Sequence, residues 1–294
     1  MDGRSVALVL AALLGTSTPA GSRDLVAAKV EEAPVVDGIG DEAAWDRAAA
    51  ITTIDTVAEI EVTVKAVYTD EAIFFLVTYP DPTENREHKT MLWDAEEQRY
   101  RMGPRREDMF VFKWNMESQP ADLSLSADRP YKADIWFWKA HRTDPAGYAD
   151  DKMQIYSIAP LARSQRIYSR SGKLFHLFRP GDAGMPAYEL LIYDHYAGDT
   201  VPRYRSVEPA GSRADIRARG RWRAGTWTIE FGRRLATGHA DDVQFDPGNC
   251  YLFGVSRYEI AGRQRDPAVE QPEYGMGDTA EALTLSFEHS PPEP

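Results

Sequence analysis

The chain has 294 residues, 43% of them hydrophobic, enough for one large domain with a full core. Its formal net charge of −12 argues against nucleic-acid binding, which needs a basic footprint. The single cysteine, Cys250, excludes an intrachain disulfide, and the lack of any Cys-x-x-Cys-His excludes covalent c-type haem.

Residues 1–20 read as a secretory signal. Arg4 supplies the n-region charge, Val6 to Leu14 carries none, and Thr18-Pro-Ala20 offers small residues for cleavage. The apolar run is too short for a bilayer and no later run approaches a span, so a periplasmic or secreted protein without a membrane span is expected. Asp41 to Ala49 predicts a helix with Asp41 as N-cap. Glu59 to Tyr68 alternates, with Ile60, Val62, Val64 and Ala66 inward. Thr69-Asp-Glu-Ala72 turns it into a more buried strand from Ile73 to Tyr79. Asp108 to Met116 follows, with Phe110, Phe112, Trp114 and Met116 on one face, then a tryptophan-rich strand at about 133–142. Arg213 to Trp222 alternates charge with Ala214, Ile216, Ala218 and Trp222, turns at Ala224-Gly225, and returns as Thr226 to Arg233. Arg213, Arg217, Arg219, Arg221 and Arg223 read as a solvated stripe or a docking face for an acidic group. Tyr251 to Glu259 and Ala282 to Glu288 are the final strands, and Cys250, just before the first, reads as a buried thiol. Many short strands and few helical patterns predict an all-β, two-sheet antiparallel sandwich over residues 21–289. Long polar loops at 81–106 and 180–212 interrupt it, and residues 290–294 form a frayed tail.

The most informative stretch is Asp134-Ile-Trp-Phe-Trp-Lys-Ala-His-Arg142. A two-residue period puts Trp136 and Trp138 on one face with Asp134 and Arg142, and Phe137, Lys139 and His141 on the other. Two neighbouring indoles make a flat apolar wall: core, or one side of a slot for a porphyrin or a sugar ring. A lysine and a histidine on the opposite face are not typical of a strand buried on both sides.

That strand, with Gly147-Tyr-Ala-Asp-Asp151 after it, resembles the haem-binding domain of ethylbenzene dehydrogenase γ subunits, of related dimethyl-sulfoxide-reductase-type enzymes and of periplasmic cytochromes. Val36-Asp-Gly38 with Glu42-Ala-Ala-Trp45 resembles the family's N-terminal signature. Gly225-Thr-Trp-Thr-Ile-Glu-Phe231, Arg234-Leu235, Asp241-Asp242 and Phe245 resemble its late hairpin. Tyr274-Gly275, Gly277-Asp278, Glu281 and Leu283-Thr-Leu285 resemble its last strand. The resemblance implies an immunoglobulin-like or carbohydrate-binding-module-like jelly roll that holds haem b and passes electrons to a redox partner or an oxidoreductase subunit, without catalysing a reaction itself. It also implies an axial methionine just upstream of the tryptophan strand and an axial lysine toward the C-terminal strand. The sequence departs from both patterns: residues 117–133 hold no methionine and residues 259–294 no lysine. Phe137 also stands where cytochrome members often have histidine. By position, Met116, Trp136, Trp138, Lys139 and His141 are the expected haem contacts, with Met116 the sulfur donor to iron and Met276 a further candidate.

Asp150-Asp151 and Asp241-Asp242 offer hard oxygen ligands that calcium would accept, but adjacent aspartates point in different directions on an extended chain, and turn capping is the plainer reading. The six histidines show no zinc spacing, and no nucleophile or phosphate-loop motif occurs. Two rival functions use the same sandwich: a carbohydrate-binding module stacking sugars on tryptophan, or an interaction scaffold without a ligand.

Overall fold

The computed structural model describes residues 23–55, 60–258 and 283–288. The expected signal at 1–20, Met276 with the motif around it, and the tail at 290–294 lie outside the described residues.

Among the described residues, twenty strands account for nearly all regular structure. In chain order they are β1 (Arg23–Lys29), β2 (Ile51–Asp55), β3 (Ile60–Tyr68), β4 (Ala72–Pro80), β5 (Met91–Asp94), β6 (Arg99–Met102), β7 (Met109–Asn115), β8 (Tyr131–Lys139), β9 (Asp150–Ser157) and β10 (Gln165–Tyr168). There follow β11 (Leu174–Phe178), β12 (Gly184–Met185), β13 (Tyr188–Leu190), β14 (Thr200–Val201), β15 (Tyr204–Ser206), β16 (Ala210–Gly211), β17 (Arg217–Arg223), β18 (Thr226–Arg234), β19 (Tyr251–Tyr258) and β20 (Leu283–Phe287). The first sheet runs β10-β11-β9-β8-β7-β19-β20-β1 and the second β1-β3-β4-β18-β17, with β2 also on β3. The expected β-sandwich is therefore present. Its pairings are antiparallel except at β1, which lies parallel to Leu283–Phe287 through residues 23–27 and parallel to Val67-Tyr68 through Ala28-Lys29. One strand thus passes from one layer to the other. It was not legible in the sequence, nor were β9, β10 and β11.

The alternation of apolar residues explains the layers. Val62, Val64 and Ala66 of β3 and Ile73, Phe75, Val77 and Tyr79 of β4 point inward from the second sheet. Phe110, Phe112 and Trp114 of β7 and Trp136 and Trp138 of β8 meet them from the first. Phe75 lies 5.0 Å from Phe112, 5.4 Å from Trp114 and 5.7 Å from Trp136, ring centre to ring centre. These aromatic contacts clamp the layers together.

A second core covers the outer face of the first sheet, where Val111, Ala133, Ile135, Tyr156 and Phe175 lie under Leu123, Leu125 and Ala127. The outer face of the second sheet carries Phe74 and Leu76 under Trp45. The expected helix at 41–49 is only a 3-10 turn, Ala43–Asp46, and its N-cap Glu42 makes no side-chain cap bond. Packing replaces the missing cap. The Trp45 indole donates to Glu230 Oε1 at 2.9 Å, and Glu230 Oε2 accepts from the backbone of Asp37 and Gly38 at 3.0 and 2.8 Å. Gly38 has φ +83°, and a Cβ there would come within 3.0–3.1 Å of the backbone of Arg221 and Gly220, which accounts for the glycine of the Asp-Gly motif.

Two further expectations change. Residues 212–214 form a 3-10 turn, so β17 starts at Arg217 and Arg213 leaves the arginine stripe. Cys250 precedes β19 and is exposed, not buried. Among the described residues no helix is long and apolar enough to cross a membrane.

Candidate functional site

The inner face of β8 is closed. Trp136 and Trp138 are both 0% exposed, so the indole wall is core and offers no slot. Trp114 and Phe245 flank Trp136 at 5.3 and 6.1 Å, and Trp227 meets Trp138 edge-on at 4.9 Å. The Trp138 indole donates to Asp144 Oδ1 at 2.9 Å, and the same oxygen accepts from the Gly220 N–H at 2.6 Å. Arg86 pairs with Asp144 Oδ2 at 2.7 Å and lies over Trp227 at 4.9 Å. Gly220 has no side chain because the Trp138 ring occupies that space.

The outer end of β8 is polar but filled. Lys139 is buried and forms an ion pair with Asp150 of the neighbouring β9. Asp150 also pairs with Arg213 and, at 3.3 Å, with Lys152, and it accepts from Tyr188 at 3.2 Å. Burial alone would raise the Asp150 carboxyl, but Lys139, Lys152 and Arg213 outweigh it and hold it well below the usual carboxylate range. Burial lowers Lys139 to about 8, against the opposing pull of Asp150. Asp150 is thus saturated by cations and has no room to serve calcium.

Met116 and Lys139 do not share a site. The Met116 N–H donates to the Lys132 carbonyl, while Lys139 stands opposite Met109 at the other end of the same strand pair. Seven residues at roughly 3.3 Å each separate the two ends by about 23 Å, too far for one iron. Met116 packs against the sandwich core instead. His141 and Arg142 lie beyond the end of β8, so the expected alternation stops at Lys139; their N–H groups both donate to Glu107 Oε2, at 2.7 and 2.9 Å. The imidazole buried in this region is His88, 3.2 Å from Glu107. Burial and then the charges of Arg142 and Lys89 push His88 far below its ordinary value, so it is a neutral imidazole. Nothing in its spacing marks it in the sequence.

From this cluster an aromatic belt leads to an open cleft. Tyr188 is 3.4 Å from Lys139 Nζ and 5.7 Å from the Tyr204 ring, which lies 5.9 Å from His88. Arg203, one residue before Tyr204, donates to Met91 Sδ at 3.7 Å. Beyond it is a cleft of about 380 Å³ lined by Met91, Trp93, Tyr100, Leu190, Tyr193 and Arg203 among others. The hairpin β5–β6 forms one wall and the chain at 190–194 the other. Trp93 and Tyr100 stand 5.0 Å apart, Tyr196 is 5.2 Å from Trp93, and Tyr193 is 5.3 Å from Tyr100. Tyr100 fixes the opposing loop by accepting from Ala197 N–H at 2.8 Å and donating to Gly198 O at 2.7 Å. Arg203 Nε is buried with no partner among the described residues, an unused donor in the cleft. These residues come from the two long loops, where hydrophobic periodicity is too short to read.

A third cluster lies at the inner edge of β8 and β9. Asp134, Asp151 and Asp242 each place one carboxylate oxygen within 4.8 Å of the others, and all three are buried. Asp182, buried and next to Asp151 across a backbone hydrogen bond of 3.3 Å, adds a fourth carboxyl. Among the described residues Arg233 is the cation that pairs into this cluster, with Asp134 at 2.9 Å, and it lies 4.7 Å over Trp136. Burial, and then the neighbouring carboxylates, raise Asp151 well above the usual range; burial foremost lifts Asp182 and Asp242 to about 7.

A family profile described as ethylbenzene dehydrogenase matches residues 42–268, over three quarters of the sequence. The chain belongs to the ethylbenzene dehydrogenase family. No curated protein matches it. Two solved structures similar to it are family 9 carbohydrate-binding modules from Caldicellulosiruptor kristjanssonii, one in complex with glucose and one with cellotriose. The first shares 9% identity, covering 93% of this chain and 99% of the module, at a TM-score of 0.40. The second shares 10% identity, covering 92% and 100%, at a TM-score of 0.39.

Proposed function

We propose that this member of the ethylbenzene dehydrogenase family is an exported electron carrier that holds haem b in the cleft between β5–β6 and residues 190–194. The observation that carries the reading is a thioether, Met91, set beside an incompletely paired guanidinium, Arg203, between aromatic walls. Haem asks for those three features: a soft or nitrogenous donor for iron, cations for the propionates, and flat apolar surfaces for the macrocycle. Met91 would supply the sulfur, Arg203 and Arg99 the cations, and Trp93 and Tyr100 the walls. The bound group would supply one-electron chemistry. The protein would supply the pocket, and a redox protein or oxidoreductase subunit would take or give the electron.

The test is the visible spectrum of the protein purified from the periplasm, and of apoprotein titrated with hemin. A Soret band that shifts on reduction, and that Met91→Ala alters while Met116→Ala does not, is expected. Protein that stays colourless through a hemin titration overturns the reading. The exposed edge of the same cleft favours a second reading, a sugar site: Trp93 and the exposed Tyr196 ring lie beside Gln98, Arg99 and Asp194, groups that hydrogen-bond hydroxyls. Cellotriose that quenches tryptophan emission in the wild type but not in Trp93→Ala, in protein that ignores hemin, would select it.

A further inference from the structure

We propose that Asp134, Asp151, Asp182 and Asp242 form a binding site for a hard divalent cation of the calcium class. The site is built from four separate segments: β8, β9, the link before β12, and the turn after β18. Its oxygens are divided between two uses. Asp134 gives Oδ2 to Arg233 and to the Val243 N–H at 3.0 Å, and Asp242 gives Oδ2 to Thr237. Their Oδ1 atoms are buried and unpaired among the described residues, as is Asp182 Oδ2. Asp134 also leans on the Trp136 indole N–H, which lies outside good hydrogen-bonding geometry.

Asp151 is the decisive residue. It is 0% exposed, and neither of its carboxylate oxygens accepts from an N–H or hydroxyl group among the described residues; the group within hydrogen-bonding reach is another carboxyl, Asp182. Buried carboxylates are normally paired, hydrogen-bonded or bound to metal. One guanidinium cannot answer four carboxyl groups. The spacing suits an ion: oxygens on opposite sides of calcium stand about 4.6–5.2 Å apart, given bonds of about 2.3–2.6 Å. The three nearest carboxylates fall within 4.8 Å of one another. An all-oxygen set favours calcium over zinc or copper.

The two other acidic groups do not share this property. Glu230 spends both oxygens on Trp45, Asp37 and Gly38. Asp215 and His239, which border Asp242 on its outer side, pair with each other at 2.6 Å near the surface. Only the interior cluster, among the described residues, combines full burial with bare oxygens. A cation there would tie residues 182 and 242 to the central strands.

The test uses the full mature chain and calcium, chelator and terbium as probes; it needs no haem, so it stands apart from the cleft reading. Calcium at a hundredfold excess over its Kd should raise the Tm above that in chelator by roughly 5–10 °C. Terbium should luminesce when excited through tryptophan, because Trp136 borders the site, and calcium should quench that signal. Asp151→Asn should abolish both effects, while Asp70→Asn, at an exposed carboxylate paired with Lys29, should leave both intact. If Asp151→Asn does not fold, Asp242→Asn takes its place. A wild-type Tm indifferent to calcium and chelator, with no sensitised emission, overturns the proposal. So does an Asp151→Asn protein that keeps both responses. An Asp151→Asn protein more stable than a cation-indifferent wild type would show instead that the carboxyls share protons.

Discussion

The substitution Gly220→Ala tests whether the tryptophan strand is core. A Cβ at position 220 would overlap Trp138 Cζ2 and approach Cε2 and Cη2 to 2.9 and 3.1 Å. Ordinary carbon contacts are about 3.5–4.0 Å, so the indole must move. Overpacking of this kind costs about 1–3 kcal/mol. Tilting the ring also pulls its N–H from the Asp144 carboxylate, now at 2.9 Å, and a hydrogen bond to a charged group is worth about 1.5–3 kcal/mol. The alanine returns about 0.4–1 kcal/mol through the unfolded chain, leaving a net loss of about 2–5 kcal/mol. Urea unfolding of wild type, Gly220→Ala, Trp138→Phe and the double variant measures it. Trp138→Phe removes the atoms that clash and leaves Asp144 still held by Gly220 and Arg86. The two substitutions should therefore couple favourably by about 1–3 kcal/mol. Additivity within about 0.5 kcal/mol would mean that the ring moves freely, and the argument that Trp138 cannot face a ligand would fail.

Two further outcomes follow from the same geometry. Lys139 titrates at about 8 in the fold and near 10.5 when unfolded, so between those values the unfolded chain binds more protons and stability rises with pH. The share from Lys139 is at most roughly 3 kcal/mol, and Lys139→Met, which leaves Asp150 with Arg213 and Lys152, should reduce the rise without abolishing it, because burial lowers Lys152 and Lys89 as well; a pH profile of the urea midpoint from pH 8 to 10.5 unchanged by the substitution would refute the assignment. Cys250, being exposed, should react with a thiol reagent in native protein as fast as in denaturant, and a reaction that waits for unfolding would put it back in the core.

The sequence was informative where one face is buried and the period is two. The inward residues of β3, β4 and β7 follow from alternation, because a one-residue slip would turn Val62, Val64 or Phe112 to solvent. Alternation also separated Trp136 and Trp138 from Lys139, but could not say which face was covered. The loop at 121–127 closes the outer face and the second sheet closes the inner one, and neither is a local property. Elements were missed where pairing replaces propensity. The parallel pairing of β1 links residues more than two hundred positions apart, and β12 to β16 are two or three residues long. The aromatic cleft is likewise built from short pieces, the four-residue strands β5 and β6 and the chain that follows β13. Its residues are unremarkable in sequence and meet only after the loops at 81–106 and 180–212 fold on each other.

Asp150 and Asp151 show how strand geometry can give neighbours opposite chemistry. In register, Asp150 lies opposite Phe137 on the outer face and Asp151 opposite Trp136 on the inner one. The outer carboxylate meets Lys139, Lys152 and Arg213; the inner one meets Asp134, Asp182 and Asp242. In the sequence the reversal of side-chain direction already makes the pair a weak single calcium site, but it does not say which carboxylate meets cations and which meets other carboxyls. The fold assigns them separately. Removing Asp150 would leave three buried or half-buried cations without an anion, whereas neutralising Asp151 would relieve a crowd of like charges. In chelator, Asp150→Asn should therefore destabilise the protein by about 3–5 kcal/mol, the cost of breaking a buried pair, while Asp151→Asn should not. Equal losses in the two variants, measured by urea unfolding, would mean that the opposite environments of the two faces do not govern their energetics.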